Sequence, residues 1–136
     1  MKKYKIACAI ILNTKQDKIL LSKRARNPFK NKWALISGIG ESMKGIAPEI
    51  GVIEEVNCDL GTKSFKIKSH FKLPIRNDEK ADEIFVFIGT IKESEIKVQS
   101  KYSKGIKWIN IDDIDKLQDT AFDHHIILKE YLKRSC

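Results

Sequence analysis

Glu54 and Glu55 are neighbouring carboxylates in the run PEIGVIEEVNCDLG, and a further acid, Glu41, stands upstream in Gly40-Glu41-Ser42. Carboxylates on a helix are either ligands for a hard divalent cation or the solvated side of an amphipathic face, and spacing alone allows both readings. Glu41 is in the same way either a loop acid favoured by a helix dipole or an additional ligand. Gly38 and Gly40 punctuate the preceding turn, where glycine serves a positive φ or lets backbone N–H groups approach a phosphate. Arg24 and Arg26 lie where a phosphate or base can be met, or are simply solvated. Trp33 and Trp108 have rings able to stack on a base, although strand tryptophans mostly belong to a core. Of His124-His125, one is expected to pack or cap and the other to face solvent, with no catalytic part. Cys58, with no histidine near it in sequence, reads as a small apolar filler.

These residues need elements to hold them. Tyr4 to Leu12 is a continuous apolar strand, Thr14 to Lys18 a polar turn and Ile19 to Lys23 a second strand, so the chain opens as a hairpin. A Pro- and Asn-containing loop over residues 26–32 precedes a short strand at Trp33 to Ile36. The apolar spacing of Ile46, Ile50, Ile53, Val56 and Leu60 predicts a helix, with Pro48 suited to its first turn. Phe65, Ile67, Ser69 and Phe71 alternate with Lys66, Lys68, His70 and Lys72, a period-2 strand whose antiparallel partner is Ile84 to Ile91. Lys104 to Asn110 is a further strand, Asp112 to Leu117 a short helix and Ala121 to Arg134 a terminal helix with Phe122, Ile126 and Leu132 at helical spacing. That order predicts an α/β fold, a mixed sheet with helices covering its faces.

Composition narrows the class. The 136 residues are expected to form one domain, 1–136, of a size that buries a core without disulfide or metal staples. Cys8, Cys58 and Cys136 are widely spaced with no CxxC, which argues against a disulfide framework or a zinc site. No apolar run reaches the ~18 to 20 residues of a membrane span, so no membrane partner is expected, and the N-terminus reads as a cytoplasmic first strand. A formal net charge of +8 favours a negatively charged partner, a nucleotide, nucleic acid or phosphorylated metabolite, or else describes a lysine-rich solvated surface.

The chain resembles the Nudix hydrolase family, whose box reads G-x5-E-x7-R-E-U-x-E-E-x-G-U with U a bulky aliphatic. The resemblance rests on Trp33, the glycine turn and the acidic helix, and extends to ILLSKRARNPFKNKWALISG before the box and to GIKWINIDDIDKL and AFDHHIIL after it. It implies an α/β/α sandwich around a mixed sheet. It also implies hydrolysis of a nucleoside diphosphate linked to another group with Mg²⁺ or Mn²⁺. The site it implies has Glu54 and Glu55, helped by Glu41, at the metal, and Arg24, Arg26, Gly38 and Gly40 at the substrate. Anchoring the box's E-E pair on Glu54-Glu55 puts Ile50 at its arginine, Gly51 at its first glutamate and Asn57 at its glycine. On that alignment one carboxylate and the arginine are missing, and the stretch behind Gly38 is short. The alternative is a catalytically impaired module of the same fold that binds a nucleotide or RNA without hydrolysing it. Many relatives of this fold are dimers, so a homodimer is compatible.

Overall fold

The computed structural model describes residues 4–38, 45–74 and 81–135. The expectations placed on Gly40 and Glu41, and on the turn over residues 75–80, fall outside these residues. Among the described residues seven strands form one mixed sheet. Strand β1 (Tyr4–Leu12) is its centre, running parallel to β6 (Ala81–Thr90) and antiparallel to β4 (Ile36–Gly38). Strand β5 (Lys66–Pro74) is the antiparallel edge beyond β6, which bears out the expected pairing. Its period-2 pattern is broken by a register shift between Ile67 and Ser69. The opening hairpin is nominal: β2 (Lys18–Arg24) meets β1 only at Leu12 and Ile19, and pairs along its length with β7 (Ser103–Asn110) and briefly with β3 (Trp33–Ala34).

A central strand is covered on both faces, which is why β1 is apolar at every position from Ile6 to Leu12 rather than at alternate ones. Ala7, Ala9 and Ile11 pack with Leu20 and Phe87 under helix α1 (Pro48–Leu60). Cys8, Ile10 and Leu12 pack with Leu21, Val86 and Ile88 on the opposite face, against Ile114 and the Ile127 and Leu128 side of helix α2 (His124–Ser135). The two cores make the expected α/β/α sandwich.

Both helices depart from their expected faces. In α1 the buried stripe is Val52, Val56 and Leu60, whereas Ile50 is exposed and Ile46 lies exposed before the helix begins. Pro48 supplies a first-turn residue that needs no N–H partner, and the true stripe is the i, i+4, i+8 row beneath it. The terminal helix starts later than expected. Residues Ala121–Asp123 form a 3-10 turn in which Phe122 is left-handed (φ 55, ψ 23), so Phe122 and Ile126 are both exposed instead of sharing the buried face.

Candidate active site

Between α1 and the strands lies a cavity of about 620 Å³. Ser22, Arg24, Ser37, Gly38, Glu55, Cys58, Asp59, Tyr102 and Phe122 are among its lining residues. Glu55, Cys58 and Asp59 stand one turn apart on a single helix face, so the helix supplies the acidic wall. The C-terminus of α1 is held by Gly61, left-handed at φ 65, whose N–H donates to the Asn57 carbonyl at 2.8 Å. Lys97 N–H donates to Leu60 O at 2.7 Å and Gln99 N–H to Asp59 O at 2.8 Å, satisfying the last carbonyls of the helix. The same stitching brings Tyr102 to the cavity.

Arg24 and Arg26 line the same cavity. The Arg24 guanidinium lies over the Phe122 ring at 4.8 Å and that of Arg26 over Tyr102 at 4.6 Å, while Arg24 Nε donates to the Pro28 carbonyl at 2.8 Å. Neither arginine is in an ion pair among the described residues. Gly38 completes the arrangement by lacking a side chain. A Cβ there would come within 2.6 Å of Glu55 Cγ and 3.0 Å of its Cδ and Oε1, so the glycine makes the room that the Glu55 carboxylate occupies.

The electrostatics follow from burial. The Asp59 carboxyl is pushed up to about 7, first by burial and then by the charge of Glu55, against the opposing pull of the Ser22 hydroxyl and Arg24. Ser22 Oγ is 3.4 Å from Asp59 Oδ2 and 2.7 Å from Ser103 Oγ, which itself donates to the Gly105 carbonyl. Burial lowers Arg24, with Asp59 working the other way. The Cys58 thiol is raised by burial and then by Glu55, Asp59 and Glu54, so at neutrality it is a thiol rather than a thiolate. Cys58 lines the cavity and is half-buried, so it is not the core filler expected.

Of the residues singled out in the sequence, the fold gathers Glu55, Gly38, Arg24 and Arg26 at one cavity. Glu54 is elsewhere: it is exposed, outside the cavity lining, and its Oε1 is 3.3 Å from Lys63 Nζ. The tryptophans pack against the two cores, and the rings at the cavity are Tyr102 and Phe122. His124 is buried, accepting from the Leu35 N–H at 2.9 Å, and His125 joins Thr120 in the helix cap, with its N–H on Thr120 Oγ1 at 2.9 Å.

Over 122 residues the chain is 33% identical to an ADP-ribose pyrophosphatase of Methanocaldococcus jannaschii, a match covering 88% of this chain and 68% of that protein. The chain belongs to the Nudix hydrolase family. No family model matches it. Among solved structures, the Nudix domain of Shewanella oneidensis NrtR, crystallised with ADP-ribose, superposes at a TM-score of 0.73 with 16% identity over 100% of this chain and 90% of that one. A bifunctional NMN adenylyltransferase/ADP-ribose pyrophosphatase of Francisella tularensis, complexed with AMP and a manganese ion, gives 0.67 with 21% identity over 97% of this chain and 42% of that one.

The helix geometry corrects the register of the Nudix box. Asn57, aligned to the box glycine when Glu54-Glu55 is taken as its E-E pair, lies inside α1, and the helix ends at the left-handed Gly61. With Gly61 as the box glycine the whole motif moves four residues along, since 61 minus 57 is 4. Gly40 becomes its first glycine with no residue missing, Glu55 its first helix glutamate, Val56 its aliphatic and Asp59 the second acid of the E-E pair. Ile46, Glu54 and Cys58 then stand where the Nudix box has glutamate, arginine and glutamate. Asp59 and Cys58 were the functional candidates missed in the sequence. The signal that would have found them is the glycine that stops the helix, a firmer anchor than any adjacent pair of acids.

Nudix hydrolases generally use divalent metals. Among the described residues no three His, Cys, Asp or Glu side chains gather closely enough to enclose an ion. The donor chemistry nonetheless fits: Mg²⁺ is commonly bound by one or two carboxylates together with water and substrate phosphate oxygens, and Glu55 and Asp59 are such a pair on an open wall.

Proposed function

We propose that this chain is a Nudix pyrophosphohydrolase acting on a nucleoside diphosphate linked to a second group, with ADP-ribose as the first substrate to test. The observation that carries the reading is one cavity lined both by two carboxylates of one helix face and by two arginines that lie over aromatic rings. Arg24 and Arg26 hold oxygens of the diphosphate through charge-assisted hydrogen bonds. Gly38 keeps that stretch of strand β4 bare, so Glu55 can reach its place, and Glu55 is the carboxylate set to take a proton from the attacking water. Water adds its oxygen to one phosphorus, the bridging P–O bond breaks, and two phosphomonoesters leave. A divalent cation, Mg²⁺ or Mn²⁺, held on Glu55 and Asp59 would neutralise charge on the diphosphate and lower the pKa of a bound water. Glu41 and Gly40 keep their proposed parts as a further ligand and a phosphate-side glycine.

The test is steady-state hydrolysis of ADP-ribose, nucleotide sugars, nucleoside triphosphates and dinucleoside polyphosphates with each metal. Glu55→Gln and Asp59→Asn are each expected to lower kcat by ~10² or more, and Glu54→Gln to leave it within about two-fold. Losses at Glu54 and Glu55 with Asp59→Asn left near the parent rate would return the box to its first register. A second reading is favoured by Ile46 and Cys58 standing in place of two box glutamates: a module that binds its nucleotide without cleaving it. ADP-ribose binding by calorimetry with no product from any substrate would establish that instead.

A further inference from the structure

Phe29 and Phe122 come from segments far apart in sequence, and Phe122, which lines the cavity, meets Phe29 with ring centroids 4.8 Å apart and planes inclined at 66°. Both are left-handed, Phe29 at φ 64 and Phe122 at φ 55. A bulky side chain in that region carries strain of order 1 to 3 kcal/mol. Yet neither ring is exchanged into the core, since Phe29 is 47% and Phe122 42% exposed. Burial of such a ring would gain roughly 1.5 to 3 kcal/mol, so strain and exposure together oppose this arrangement. Strained, exposed aromatic residues that persist at a cavity rim are the pattern of a ligand clamp.

Resting on the proposed hydrolase reading, we propose that Phe122, braced edge-on by Phe29, is the platform on which the planar base of the nucleotide stacks, and that it sets the preference for base-bearing substrates. The neighbouring geometry fits this use. Phe122 lines the cavity, its ring carries the Arg24 guanidinium at 4.8 Å and meets the buried His124 ring at 5.6 Å with planes inclined at 35°, and it still remains 42% exposed. Such a surface attracts a π-system through dispersion and cation–π contact without selecting among bases by hydrogen bonding. It shares the cavity with Arg26, Glu55 and Asp59, so a base there leaves its diphosphate among those charged groups.

Calorimetry with ADP and with inorganic pyrophosphate separates the base from the phosphates. The unsubstituted chain is expected to bind ADP about ten-fold more tightly than pyrophosphate, consistent with stacking energies. Phe122→Ala should abolish that advantage while pyrophosphate affinity stays within about two-fold, and Phe122→Tyr should restore it. Phe29→Ala should give a partial loss, and KM for ADP-ribose should rise in Phe122→Ala far more than kcat falls. Parallel losses for ADP and pyrophosphate would show that Phe122 only props Arg24, overturning the platform. ADP and pyrophosphate bound equally by the unsubstituted chain would overturn it too, while hydrolysis sensitive to Glu55→Gln left the hydrolase reading intact. Absence of both binding and hydrolysis would remove both.

Discussion

A methyl group at position 38 would meet the Glu55 side chain from Cγ outward, not backbone. Flexible carboxylate ends move cheaply, and Gly38 pairs with Ala7 in an ordinary strand position with no left-handed backbone to strain. Gly38→Ala is therefore expected to change stability by less than ~1 kcal/mol but to displace the carboxylate, lowering kcat by ten-fold or more. Thermal unfolding alongside ADP-ribose turnover checks this. A large fall in melting temperature with kcat maintained would mean that the close approach is structural only. The contrast with Glu54 is instructive: a neighbour in sequence, it points to Lys63 across solvent and is worth little to fold or cavity.

At the scale of elements, the C-terminus of α1 decides where the acidic wall lies. Gly61 is left-handed, and a Cβ there would come within 2.9 Å of the Lys97 carbonyl and 2.8 Å of Gln99 Nε2. Gly61→Ala combines a left-handed penalty of about 1 kcal/mol with a backbone clash, and a total loss of roughly 2 kcal/mol is expected. Because Lys97 and Gln99 donate to the last carbonyls of the helix, their amides should exchange hydrogen faster in the variant than those of β1. Exchange accelerated uniformly would indicate global loosening rather than a local break.

At the scale of the whole molecule, His124 ties the start of α2 to the connection between β3 and β4 through the Leu35 N–H. Burial, with Arg24 and His125 adding to it, holds its pKa down at about 4 from the ordinary 6.5. The unfolded chain therefore takes up a proton that the folded chain refuses. Stability is full above about 6.5 and is lost as pH falls from there to about 4, by on the order of 3 kcal/mol from this group. Asp59 acts with the opposite sign, because its raised pKa costs stability as pH rises towards about 7. Urea unfolding of the Asp59→Asn variant across pH 4 to 7 isolates the histidine. A stability that does not fall on acidification would exclude a neutral, buried His124.

The amino-acid sequence by itself determined most of the strands, the two helices and the α/β class, because apolar period and glycine and proline punctuation are local properties of the chain, while the sandwich was implied by the resemblance to the Nudix family. It also marked Arg24, Arg26, Gly38 and Glu55 as residues worth attention. Only the tertiary structure decided which acids face the cavity. Glu54, Glu55, Cys58 and Asp59 all belong to the same helix, and which of its faces turns inward depends on Val52, Val56 and Leu60 docking against β1 and on Gly61 stopping the helix against residues 97–99. The exposed Ile50 misled a reading based on periodicity, since the buried stripe is defined by what packs on it and not by which residues are apolar. Tyr102 and Phe122 were unreadable as site residues for the same reason. They reach the arginines of β2 and the loop after it through long-range packing and, for Phe122, a left-handed backbone that no local pattern of an aromatic residue announces.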